Sequence, residues 1–391
     1  MAVLVRCNVL TVLALLPVFL LGAVALLVGR DIALGPTDVG IAVAVMFTTS
    51  AAVAKWLGRF AQVLGAHRSM ALSGALSATA LTLCGFADSR SWLFGAFVVA
   101  GLANALAHPA VNRAIAEATP LHRQGVAFGI KQSSVPMATL LCGAAVPGIA
   151  LVVGWRWAFW AFALVSVGSA ISSLVWETPG EPAARPPGEP VAGVVSRIRL
   201  TGAEMNFVAV LAGVAMAAAT SLGVFLVGTG MHLGLGASMA ALLATLCSLV
   251  CITARIGIGW LVDRGGIRDG YLFIAALLTI GSVGYLLLGA GGTPAFVFGA
   301  FVAYGIGWSW TGLLQACVVK DNHGQVASAT GKLTAGTSLG AATGPLLFGV
   351  VAESFSFSHA WVMAAALILA AGLSMGAWRM WLPRRGADAA G

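Results

Sequence analysis

The sequence predicts an all-α polytopic membrane protein, with twelve transmembrane helices in two pseudo-symmetric six-helix bundles. Three observations predict it. Of the 391 residues, 59% are hydrophobic and 9% charged, a balance outside that of ordinary soluble domains. The apolar runs have the length of a helix that crosses the hydrocarbon core, about 20 residues, and lack the strict alternation of barrel strands. Finally, matching residues recur at one offset of 201 residues: Gly22 with Gly223, Gly29 with Gly230, His122 with His323, Gln124 with Gln325, Lys131 with Lys332, and Trp160 with Trp361. One offset holding from the first span to the sixth marks an internal parallel repeat, whose substrate sites lie between the halves near the midplane.

In chain order the spans fall near 8–29, 38–60, 70–87, 92–116, 125–152, 157–176, 205–230, 237–262, 271–290, 294–319, 325–352 and 360–381. The first run spans fully and further spans follow it, so it reads as a membrane helix rather than a cleaved signal. The segment ETPGEPAARPPGEPVAG is rich in proline and glycine and nearly free of large apolar residues, which reads as a flexible linker. The expected organisation is an N-terminal bundle over 1–176, a cytoplasmic linker over 177–204 and a C-terminal bundle over 205–391. Span eleven reads GTSLGAATGPLLFG. Its Gly336, Gly340 and Gly344 form a groove for close packing, and Pro345 bends the helix.

Charge orients the chain. Of the 21 lysines and arginines, only Arg30, Arg90 and Arg156 fall in outer loops, and only Lys131, Arg255 and Lys332 within spans. The rest lie in segments on one side. That bias places both termini in the cytoplasm of a plasma (inner) membrane, and it explains the net charge of +8 without nucleic acid. The six cysteines, Cys7, Cys84, Cys142, Cys247, Cys251 and Cys317, sit in apolar runs as buried thiols. No metal spacing occurs, no nucleotide-binding loop and no credible nucleophile–base pair, so neither an enzyme nor a cofactor is expected.

The stretch from Cys251 to Arg268 carries the clearest motif. Gly259-x-x-x-Asp263-Arg264-x-Gly266-x-Arg268 resembles the cytoplasmic loop signature between the second and third helices of each half of the major facilitator superfamily. Residues 58–68, GRFAQVLGAHR, are a weaker copy: Gly58 and Gly65 match, and Gln62 replaces the aspartate. GWRWAF at 154–159 resembles the turn into the sixth helix, and span eleven resembles the glycine-proline motif that antiporters carry in the fifth. The resemblance implies that fold, secondary transport by alternating access and a monomer. It assigns conformational gating to Gly58, Gly65, Gly259, Asp263, Arg264, Gly266, Arg268, Gly344 and Pro345, with Gly259 admitting a neighbouring helix.

Candidate binding residues are the polar groups inside the spans. Carboxylates are almost absent there, while Arg255, Lys131 and Lys332 are basic. Each cation at a helix centre costs about 2.5–3.5 kcal/mol on insertion scales. Arg255 has no counterpart at the repeat offset, where Ala54 stands, which favours function over scaffold. A guanidinium donates two parallel hydrogen bonds to a carboxylate. Arg255-x7-Asp263 also resembles the spacing in the monocarboxylate and oxalate/formate branches, whose eighth-helix arginine binds the substrate carboxylate. Lys131 and Lys332 either flank the anion or snorkel to the interface. Asn104, His108 and Asn112 form one stripe on span four, where His108 either carries a coupling proton or bonds a neighbouring helix. Tyr304 and Trp308 on span ten either cover the apolar part of a substrate or pack, and Gln132 adds hydrogen bonds beside Lys131.

The expected function is a permease that moves a small organic anion, a carboxylate, by symport or antiport, with a proton or counter-substrate as possible partner. The alternative is an efflux permease for hydrophobic drugs or metabolites.

Overall fold

The computed structural model describes residues 2–118, 130–175, 200–322 and 326–381. Among these residues twelve long helices follow one another. They are α1 (Ala2–Ile32), α2 (Pro36–Leu64), α3 (Ala66–Gly85), α4 (Arg90–Ala118), α5 (Ile130–Ala150), α6 (Trp155–Val175), α7 (Gly202–His232), α8 (Ala237–Asp263), α9 (Gly270–Gly289), α10 (Thr293–Asp321), α11 (Val326–Ser354) and α12 (Phe357–Trp381). Successive helices alternate in direction. Arg59, Arg68, Arg264 and Arg268 therefore gather at the end where the chain begins, here the basic end; the opposite end is the far end.

Eleven of the helices are long and apolar enough to cross a membrane; α3 falls short for a local reason. It carries Ser69, Ser73 and Ser77, all buried. Ser73 donates to the Ala103 carbonyl of α4 at 2.9 Å, so part of this polarity faces protein rather than lipid. The cysteines are free, and five of the six are buried. No group of His, Cys, Asp or Glu suited to a metal occurs among the described residues.

Helix α7 begins at Gly202, three residues inside the expected linker. Thr201 and Glu204 explain this. Each side chain accepts from the other's backbone N–H, which closes a capping box. His122, His323, Gln124 and Gln325 of the repeat, with Arg197 and Arg199, lie outside the described residues.

The glycine groove of α11 packs on α7. A Cβ added at Gly336, Gly340 or Gly344 would overlap the backbone of Ala209, Gly213 or Ala217 respectively. In lipid, packing is the main force between helices, and only small residues permit this approach. Pro345 stays within a continuous α11.

Candidate functional site: an arginine between the bundles

Two helices are interrupted where the bundles meet. In α10 a π-helical turn over Ala303–Gly307 passes into a non-helical turn at Trp308–Trp310. Such insertions disturb the backbone ladder and often mark function. In α5 the interruption is chemical. The Gln132 carbonyl would accept from the N–H four residues on, but that residue is Pro136, which has none. The ladder resumes at once, as Met137 N–H donates to the Ser133 carbonyl at 3.0 Å.

Arg255 joins the two breaks. Its Nη1 donates to the Gln132 carbonyl of α5, and its Nη2 to the Trp308 carbonyl of α10 at 2.8 Å. The side chain is 8% exposed, and its Nε has no hydrogen-bond partner among the described residues. None of the ion pairs among the described residues includes it; Arg90–Asp38, Arg156–Asp31 and Arg379–Asp269 all lie near helix ends. The Gln132 side chain meets Gln315 of α10. One α5 residue thus touches the C-terminal bundle through both backbone and side chain.

Above this level the interface continues through hydroxyls. Thr139 Oγ1 and Ser248 Oγ are 2.7 Å apart between α5 and α8. The Tyr304 hydroxyl is buried without a hydrogen-bond partner among the described residues, and lies in the same seam. Tyr304 packs edge-on to Trp308, which also contacts Phe19 of α1. Both rings are fully buried. For Trp308 it is the backbone carbonyl, not the indole, that meets Arg255.

The remaining candidates separate. Lys131 is buried and donates to Asn112 Oδ1 at 2.6 Å. Asn104 donates to Ser50 Oγ of α2 at 3.0 Å. Two members of the α4 stripe are thereby engaged within the N-terminal bundle; His108 between them is half-buried. Lys332 is half-buried beside the start of α7, with Nζ 3.9 Å from where a Cβ on Gly202 would stand. The pseudo-symmetric lysines therefore have unlike surroundings.

The far end is closed. Thr37 N–H at the start of α2 donates to Glu353 Oε2 of α11 at 3.0 Å. Gly40 lies against the backbone of Pro345 and Leu346, and Gly349 against that of Pro36. Gly143 of α5 lies against Ala241 and Thr245 of α8.

The basic end differs. Among the described residues no atom lies within 4 Å of a Cβ on Gly58, Gly65 or Gly259, so no described helix packs against Gly259 here. Trp56, Phe60, Val63, Ile256 and Trp260 are exposed nearby. The described residues leave these side chains of α2 and α8 largely uncovered, while the close inter-bundle glycine contacts lie toward the far end. Gly65 instead serves a turn, with φ +84. Gly266 closes the α8–α9 turn, where its N–H donates to the Leu261 carbonyl at 2.9 Å. Arg264 stacks over Trp260 at 3.9 Å and Arg268 is exposed. Asp263 ends α8, and its side chain lies outside the described residues.

Sequence reading missed the roles of Pro136 and Glu353. A proline four residues after Gln132 was the available signal for a freed carbonyl. Nothing in the sequence indicated which helix Glu353 would meet.

Two six-helix bundles around a central interface, all helical and membrane-spanning, define a transporter of the alternating-access class rather than an enzyme. The chain belongs to the Major Facilitator Superfamily, whose family model matches residues 7–323. No curated protein matches it. Among solved structures it is similar to a bacterial homolog of the human lysosomal transporter Spinster in an inward-facing, occupied conformation. The identity is 16% and the TM-score 0.76, with 99% of this chain and 98% of that one covered. An inward-facing, unoccupied structure of such a homolog matches at 16% identity and TM-score 0.68, over 98% and 97%. These likenesses establish the fold.

Proposed function

We propose that this protein moves a small organic anion, a carboxylate, across the plasma membrane, with its basic end in the cytoplasm. One observation carries the reading. Arg255 is a buried cation between the bundles that donates to the neutral carbonyls of Gln132 and Trp308, with no carboxylate among its partners within the described residues. An uncompensated buried charge is costly, and a mobile anion supplies the missing counter-charge. Its guanidinium fork suits a carboxylate. Lys131 and Gln132 lie next to the clamp in sequence and add positive potential and hydrogen-bonding capacity. Tyr304 and Trp308 give it an apolar wall. His108 on the α4 stripe is the candidate carrier of a coupling proton, and Lys332 draws anions toward the basic end. The chain works as a monomer.

The test is ligand-induced thermal stabilisation of the purified protein against small carboxylates, inorganic anions and lipophilic drugs, with Arg255→Ala beside the wild type. Stabilisation by a carboxylate that disappears in the variant is expected. Stabilisation by drugs alone, unchanged in the variant, overturns the reading in favour of hydrophobic efflux. The aromatic Tyr304, Trp308 and Phe19 group supports that second reading.

A further inference from the structure

We infer that Pro136 is a positioning residue for transport: by withholding an N–H from Gln132, it makes the Gln132 carbonyl the acceptor through which Arg255 ties the bundles together, and a substrate anion replaces that carbonyl to release the tie.

The start of α5 is a loosened helix whose successive carbonyls are taken by side chains. Asn8 of α1 donates to the Ile130 carbonyl at 2.7 Å. Ser134 donates to the Lys131 carbonyl at 2.6 Å. Arg255 donates to the Gln132 carbonyl from the opposite bundle. Only the third bond crosses the interface. It exists because the intrahelical donor is absent, and a buried carbonyl without a donor is costly. Pro136 is itself buried, so water is a poor substitute at this level.

The second Arg255 bond, to Trp308, stays within the C-terminal bundle. The two nitrogens therefore have different jobs. Nη2 anchors the guanidinium to its own bundle. Nη1 holds the other bundle through one replaceable neutral acceptor. An anionic oxygen binds a guanidinium more strongly than a peptide carbonyl does, so it displaces Gln132 and separates α5 from α8 at this point. The Gln132–Gln315 contact lies on the same seam and is released with it.

The experiment uses full-length protein with spin labels at Ile130→Cys on α5 and Trp260→Cys on α8, both exposed positions. Distances are measured without ligand by double electron–electron resonance. Pro136→Ala restores the N–H, and Pro136→Ser, which also restores it, is run in parallel to guard against a folding artefact. In both, the α5–α8 distance distribution is expected to shift to longer values, as it does in Arg255→Ala, and the Pro136→Ala/Arg255→Ala double variant goes no further. An unchanged distribution in both Pro136 variants, or fully additive shifts in the double variant, overturns the proposal. The ligand arm rests on the anion reading above and uses acetate as probe. Freed from competition, Arg255 in Pro136→Ala binds acetate with a Kd lower by about tenfold, a gain that mere structural damage does not produce. Acetate binding weakened in Pro136→Ala overturns the displacement step. A lengthened distance with no acetate binding to wild type keeps the tie and removes the anion reading, so the two failures are distinguishable.

Discussion

Thr37 N–H donates to Glu353 Oε2 at 3.0 Å, joining the first turn of α2 to the far end of α11 across 316 residues. A carboxylate at a helix N-terminus is favourable both as acceptor and against the helix dipole. Here the two partners belong to different bundles. The bond must break whenever the far end opens.

Glu353→Ala is therefore expected to favour opening at the far end. The residue is exposed, so the gain is modest, about 1 kcal/mol or about fivefold in population. Spin labels at Asp88→Cys and Phe355→Cys, on far-end segments of the two bundles, report it as a larger long-distance fraction. An unchanged distribution would show that the glycine contacts alone hold the end shut.

Gly340→Ala places a methyl group on the Gly213 backbone. Overpacking of this kind costs about 1–3 kcal/mol, and the melting temperature in detergent should fall accordingly. Gly331→Ala, on the same helix with no described neighbour within 4 Å, should be neutral or stabilising by up to about 1 kcal/mol. Equal effects at both positions would mean that helix propensity, not the α7–α11 seam, governs α11.

Asn112→Leu removes the acceptor of the buried Lys131 ammonium. A buried donor left without a partner costs about 1–3 kcal/mol. The double variant Lys131→Met/Asn112→Leu should regain most of the lost thermal stability. Additive losses would show that the pair is not coupled.

Asp269 caps α9, accepting from Tyr271 and Leu272 N–H at 3.1 and 3.2 Å, and pairs with Arg379 of α12 at 2.7 Å. Asp269→Ala should cost about 1–2 kcal/mol, mostly from the lost cap. Arg379→Met should cost less, because the cap survives. Thermal melts of both variants decide the order.

Much of the site was legible only as a list of polar residues. Arg255 stands out in sequence because a cation inside a span is costly and its repeat position holds Ala54. Its acceptors are not legible, since both are backbone carbonyls, a group every residue carries. Lys131 and Lys332 look equivalent at one offset, yet one is bonded to Asn112 and the other lies beside Gly202. Gly259 reads as a packing residue, and none of the described residues meets it. Motif glycines mark places where helices can approach; whether they do depends on which end of the molecule is closed.

The sequence by itself determined the twelve helices, the membrane setting and the two-fold repeat. These follow from quantities local to the chain: apolar run length, backbone hydrogen bonds satisfied within each helix, and a constant residue offset. Only the tertiary structure decided that Arg255 bridges Gln132 and Trp308, that Glu353 holds α2, and that the glycine contacts shut the far end. Those relationships join residues more than fifty positions apart. They arise from how two bundles lean against each other, and no local propensity encodes that geometry.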